Sequence, residues 1–224
     1  MQIFPRSLNK LPQIAGAITV LALPGIVFLA WYYFSPLYTD VGYEPRQPVP
    51  YSHRLHAGQL GMDCRYCHVN VERSAIAMVP PTQTCMNCHS VIKTDSAALA
   101  PIRVSCGWDG KACDWTKGKA MEWVKVHKLP DYAYFDHSVH VSAGVGCVEC
   151  HGRVDQEERV RQQKTLAMGF CLECHRDVKQ NQGASQFLRP VAQVTNMEWK
   201  RTESEPVTPP RHLNPPENCT GCHR

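Results

Sequence analysis

The chain has 224 residues, of which 12 are cysteine and 11 histidine, with a formal net charge of +4 at neutral pH. So much cysteine in so short a chain is a strong deviation from ordinary composition. The small positive charge gives no ground for nucleic-acid binding.

In chain order, residues 1–13 read as a short polar N-terminus carrying Arg6 and Lys10. Residues 14–34, Ile14 to Phe34, form a run of 21 residues without a charge. At 1.5 Å rise per residue such a helix crosses a bilayer core of roughly 30 Å. Pro24-Gly25 falls mid-span, where a kink is tolerable, and Trp31, Tyr32 and Tyr33 form an aromatic belt at the far end. Arg6 and Lys10 precede the span and Asp40 and Glu44 follow it. The positive-inside bias therefore predicts a single-pass anchor in the bacterial cytoplasmic membrane, with its N-terminus cytoplasmic and residues 35–224 on the periplasmic side. A cleaved signal peptide is the competing reading; the run is long for a signal core, and Trp-Tyr-Tyr-Phe stands where a small-residue cleavage site would be.

After the span, ten of the twelve cysteines fall into five copies of one pattern: Cys64-Arg-Tyr-Cys67-His68, Cys85-Met-Asn-Cys88-His89, Cys147-Val-Glu-Cys150-His151, Cys171-Leu-Glu-Cys174-His175 and Cys219-Thr-Gly-Cys222-His223. CxxCH is the attachment signature of c-type haem. Two thiols on one helical turn reach the two vinyl groups of the porphyrin, and the following His binds iron from the proximal side. A thioredoxin-like motif would occur once and need no trailing His. A structural zinc site would use CxxC pairs two at a time. The pattern predicts five covalent c-type haems with proximal ligands His68, His89, His151, His175 and His223. Counting two propionates and a ferric core per haem, five haems shift the net charge by about −5.

A repeat organises the motifs. His53-Arg-Leu-His56 precedes the first two, and His137-Ser-Val-His140 the next two, 84 residues further on. We expect two dihaem modules, 52–90 and 127–176, an insertion at 91–126, and a C-terminal segment at 177–224 carrying the fifth haem. The recurrence of HxxH 10 or 11 residues before a CxxCH marks His53, His56, His137 and His140 as distal iron ligands. The first of each pair would serve the haem that follows it, and the second a neighbouring haem. For the fifth distal ligand the candidates are His127, His212, Met168 and Met78; methionine would raise the potential of that haem, and a small residue or water is the remaining option. The two leftover cysteines, Cys106 and Cys113 in CGWDGKAC, are expected to form a disulfide in an exported chain.

Roughly 190 exported residues with many of the chain's 17 prolines leave little room for a conventional core; porphyrins would supply much of the buried apolar surface. The predicted fold is a multihaem cytochrome c: one N-terminal transmembrane helix, then a haem-packed domain of short α-helices and long loops with little or no β-sheet.

The runs YSHRLHAGQLGMDCRYCH, VPPTQTCMNCH, VHKLPDYAYFDHSVHVSAGVGCVECHG and MGFCLECHR together resemble the pentahaem cytochrome subunit of bacterial alternative complex III. The resemblance covers nearly the whole chain. It implies partners: integral membrane quinol-site subunits, an iron–sulfur/molybdopterin-like subunit and a monohaem cytochrome. It also implies a role, the relay of electrons from quinol oxidation to a periplasmic cytochrome c, blue-copper protein or terminal oxidase, in respiration or photosynthesis. On this resemblance His127 and Met168 outrank His212 and Met78 as extra ligands.

Three functions compete. As an electron-transfer subunit the chain needs no catalytic centre of its own. As a multihaem oxyanion reductase it would need an open iron lined by Lys, Arg or His, whereas every proximal ligand here is His and the distal candidates match the haem count. As a stand-alone membrane quinol dehydrogenase it would have one helix with which to build a quinol pocket, and this is the runner-up. Within the first reading, the haem at Cys64 follows the helix most closely and is the expected electron inlet, with the haem at Cys222-His223 the outlet.

Overall fold

The computed structural model describes residues 5–202, 207 and 212–223. Parts of the expected 1–13 and 177–224 segments therefore lie outside the described residues. The chain divides into two compact units, 1–41 and 42–224.

The first unit is built on α1, Leu11–Tyr33, which continues from a short 3-10 turn at Arg6–Lys10. Its apolar residues point in every direction: Ile18 is 60 %, Leu21 78 % and Val27 60 % exposed. A helix apolar all round needs an apolar environment on every side. Arg6–Tyr33 is the helix long and apolar enough to cross a membrane among the described residues. Pro24 lies inside it and leaves one carbonyl of the preceding turn without its amide donor. Ser35 then stops the helix, and α2, Pro36–Thr39, starts on a proline whose fixed φ suits a first turn. Tyr38 on α2 meets Tyr33 edge-on at 4.7 Å between ring centroids.

The second unit consists of short helices and long loops. The helices are α3 (Cys64–Cys67), α4 (Thr82–His89), α5 (Ala100–Cys106), α6 (His137–Ser142), α7 (Cys147–His151), α8 (Met168–Asn181) and α9 (Cys219–Cys222). Among the described residues, extended pairing is confined to isolated bridges such as Ala133 with His223. The expected fold of short helices and long loops with little or no β-sheet is what the described residues show.

Each CxxC forms helical turns, and local chemistry limits their length. Asp63 caps α3 by accepting from the Arg65 amide, and His68 leaves helical geometry immediately after it. Gly152, at φ +68°, ends α7, and a Cβ there would press on the Gln163 side chain.

Buried apolar residues gather in three small clusters. Val49, Met86, Ile102 and Cys106 form the first, around α4 and α5. Val178, Leu188, Val207 and Leu213 form the second, beside α8. Val71, Val141 and Val194 form a third that joins the loop after α3 to α6. The structure links Cys106 to Cys113 by a disulfide with a Cα–Cα distance of 5.2 Å. It closes the loop after α5 beside the bridge between Trp108 and Cys113. Gly107, at φ +66°, terminates α5 where the Asp114 carbonyl leaves no space for a Cβ.

Candidate haem-binding sites

The five CxxC pairs carry free thiols at the two ends of a helical turn. The chemistry of the following histidines is set by what their Nδ1 atoms do. On the CxxCH side, His68 Nδ1 donates to the Met78 carbonyl at 2.7 Å, His89 Nδ1 to the Ile92 carbonyl at 3.1 Å, and His175 Nδ1 to the Pro216 carbonyl at 2.6 Å. On the HxxH side, His56 Nδ1 donates to Ser52 at 2.9 Å, His137 Nδ1 to Ala75 at 2.8 Å, and His140 Nδ1 to Asp136 at 2.6 Å, each at a backbone carbonyl. A carbonyl only accepts, so in six imidazoles Nδ1 is the donor, and Nε2 is the ring nitrogen left to bind a metal.

The rings are also paired at a telling distance. Two imidazoles bound through Nε2 on opposite faces of one metal, each at about 2 Å, hold their centroids about 6 Å apart. His56 and His89 are 6.2 Å apart, His140 and His175 6.2 Å, and His137 and His151 6.4 Å with only 12° between their planes. His53 faces His68 electrostatically. Burial, and then the His68 and His56 rings, push its pKa down to about 4, so it is a neutral imidazole. Its Nδ1 is buried without a partner, as is the Nε2 of His127. Burial, followed by His127 and His137, lowers His151 to about 3.

These features fit c-type haem: thiol pairs on one turn, imidazole rings paired with their centroids about 6 Å apart, and buried imidazole nitrogens lacking hydrogen bonds. Among the described residues, no three or more His, Cys, Asp or Glu converge as a shared metal-binding group.

The fifth-ligand candidates are placed differently. His127 stands edge-on to His151 at 4.3 Å, nearer than two ligands on opposite faces of one metal. Met78, at φ +63°, supports His68 through its carbonyl while its Sδ accepts from Asn70 Nδ2 at 2.6 Å. Met168 opens α8 and is 64 % exposed, and His212 is exposed beside the buried Leu213. Next to His223 the structure places Tyr132, at 5.6 Å between centroids.

Two supporting features escaped the sequence reading. An aromatic residue stands two positions before each HxxH. Tyr51 meets His53 edge-on at 4.8 Å and stacks on His56 at 4.5 Å; Phe135 meets His137 edge-on at 4.8 Å and stacks on His140 at 4.5 Å. The repeat is therefore aromatic-x-His-x-x-His, and its sequence signal was the alignment of Tyr51 with Phe135. The other is Arg189, which is 3 % exposed, pairs with Glu149 inside the third CxxCH at 2.5 Å, and lies over the Trp199 ring at 5.2 Å. No local pattern signalled that pair, because 40 residues separate its members.

Comparison with known proteins gives the larger unit its class. Residues 133–224 match the family model described as cytochrome c7 and related cytochrome c. Those residues make up about half of the larger unit and hold three of its CxxCH motifs. Over 154 residues, 68 % of the chain, it is 28 % identical to the "Menaquinone reductase, multiheme cytochrome c subunit" of Nitratidesulfovibrio vulgaris (strain Hildenborough), and the match spans 60 % of that protein. Both matches are to cytochromes c, and CxxCH is the motif by which c-type haem is attached.

Proposed function

We propose that this chain is the electron-relay subunit of a membrane quinone/quinol oxidoreductase, holding five covalent haems and connecting the quinone reaction to an extracytoplasmic redox partner. The observation that carries this reading is the pairing of histidine rings with centroids about 6 Å apart, each pair joining a CxxCH histidine to an HxxH histidine. His53 with His68, His56 with His89, His137 with His151, and His140 with His175 would each hold one iron from both faces. Bound haem supplies a one-electron couple at each site. The chain's own work is to fix spacing, orientation and burial. The thiol pairs set ring orientation and prevent loss, the Nδ1–carbonyl bonds lock each imidazole, and Tyr51 and Phe135 pack against the distal rings. If both histidines of a pair held one iron, no position would be left there for an oxyanion, which favours conduction over reduction.

In this reading α1 anchors the chain in the cytoplasmic membrane, N-terminus inside and haem unit outside, and the 52–90 and 127–176 segments are dihaem modules. His127, Met168, His212 and Met78 remain the candidates for the distal position of the fifth site. The expected partners are the quinol-site, iron–sulfur/molybdopterin-like and monohaem subunits of an alternative complex III-type assembly, with electrons running from quinol to a periplasmic acceptor. A second reading runs the current in reverse, towards menaquinone, and is favoured by the description of the Nitratidesulfovibrio relative.

Intact-mass spectrometry of the purified chain tests the first claim and is expected to show five haem additions; fewer would refute the count. Low-temperature EPR of the ferric protein is expected to show at least four low-spin centres. A dominant high-spin signal that binds nitrite would return the chain to the reductases. Oxidation of a quinol analogue by the complex isolated in mild detergent, set against reduction of menaquinone by a low-potential donor, decides the direction.

A further inference from the structure

Resting on the five-site reading above, we infer that the five attachment sites form one unbranched row whose order is not that of the sequence. It runs from Cys85–His89 to Cys64–His68, then Cys147–His151, Cys171–His175 and Cys219–His223, with its two ends as the ports where electrons are exchanged with other proteins.

Four junctions define the row. The first two sites share one turn of chain, since His53 and His56 lie three residues apart. Asn87 of the CMNC motif donates to the Tyr66 hydroxyl of the CRYC motif at 3.3 Å. The Cys67 thiol also feels both Cys64 and Cys88.

The second junction is between the halves of the repeat. The Cys64 and Cys147 thiols lie close enough to interact electrostatically. Asp63, which caps α3, accepts from Thr195 Oγ1 at 2.9 Å, while the Cys147 amide donates to the neighbouring Val194 carbonyl at 3.0 Å. His137 is held from the first half by the Ala75 carbonyl, which accepts its ring Nδ1 at 2.8 Å. The third junction is α6 itself, which carries both His137 and His140, and Cys150 lies within electrostatic reach of Cys171.

The fourth joins α8 to the C-terminal segment. His175 Nδ1 donates to the Pro216 carbonyl at 2.6 Å, Lys179 pairs with Glu217 at 2.8 Å, and Cys171 feels Cys222.

An independent observation agrees. Of the ten motif thiols, the exposed ones are Cys88 and Cys219, one at each end of this row, while the other eight are half-buried. Partner proteins reach a site through its exposed edge, so exposure marks where electrons leave or join the row. The site at Cys64–His68, expected from sequence as the inlet, has a neighbour on each side and is interior. With haem bound, each transfer along the row would move one electron, the donor site going from ferrous to ferric as its neighbour goes from ferric to ferrous.

Locating the irons in the purified holoprotein, by anomalous scattering at the iron edge or by density in the intact complex, tests the order. The expected result is that the irons on His89 and His223 each have one near iron neighbour, belonging to His68 and His175 respectively, and the other three irons have two. An iron on His68 with a single neighbour, an iron on His223 nearer to that of His151 than to that of His175, or a branched arrangement would overturn the row. Fewer than five irons would instead refute the five-site reading, and the neighbours of those present would still decide the order.

Discussion

Around His53 and His56 the chain is pinned covalently, by a disulfide whose buried Cys106 packs with Val49, Met86 and Ile102. Around His137 and His140 it is pinned by a buried ion pair, Arg189 with Glu149, seated against Trp199. The ring geometry that these supports hold is nearly the same, with the aromatic partners Tyr51 and Phe135 at matching distances from their histidines. The charges near the CxxCH motifs differ in the same sense. In the first, Arg65 pairs with Asp63 and Glu72 at the surface; in the third, Glu149 is answered from inside. The repeated aromatic-x-His-x-x-His segment thus keeps its ring placement while the means of bracing it differ.

Substitutions can break this contrast. Arg189→Ala strands Glu149 without its partner in a poorly solvated place, and we expect a loss of about 3 kcal/mol in the guanidinium midpoint of the haem unit. Arg189→Met, which removes the charge but keeps some bulk, would not rescue it while Glu149 remains; Arg189→Met with Glu149→Leu would recover most of it. A midpoint unchanged in Arg189→Ala would show that the ion pair does not brace the second region. Cys106→Ala with Cys113→Ala frees a short loop and is expected to cost about 2–3 kcal/mol by the same measurement, with four His/His sites unchanged in EPR because the brace lies outside them.

Smaller effects sharpen the comparison. Asp63→Ala removes the cap of α3 together with the bond from Thr195, for about 1 kcal/mol. The Arg65 side chain holds the Asp63 carboxyl down at about 2, below its ordinary 3.8. A depressed carboxyl stabilises the fold above its unfolded pKa, so this contribution is complete above about pH 4–5 and is lost as pH falls through about 2. An acid titration of the wild type followed by circular dichroism should therefore show a loss in that window that Asp63→Ala lacks. Glu72→Gln, at the exposed end of the same network, should shift the midpoint by under about 0.5 kcal/mol.

How much of this was readable before folding follows from the range of each interaction. CxxCH is a local device, since both thiols and the proximal His sit within five residues, and so all five motifs could be read directly. HxxH on one turn is equally local, and its repetition exposed the pairing of the two halves. The short-helix, sheet-free fold also followed, because prolines and closely spaced motifs leave no length for strands. Tyr51 and Phe135 were within reach of the same alignment but carry no ligand chemistry to attract notice.

What the chain's sequence determined by itself is therefore the set of chemical parts: five attachment motifs, four further histidines at fixed offsets, and one apolar segment of membrane-crossing length. Only the tertiary structure decided which parts face one another. The Ala75 carbonyl reaches His137 across 62 residues, Thr195 reaches Asp63 across 132, and Pro216 reaches His175 across 41. Hydrogen bonds of that span leave no periodic trace in sequence, because their partners share no fixed spacing and an accepting carbonyl can come from any residue type. The order in which the sites stand, with Cys64–His68 in the interior and Cys88 and Cys219 at the exposed ends, is a product of those long-range contacts.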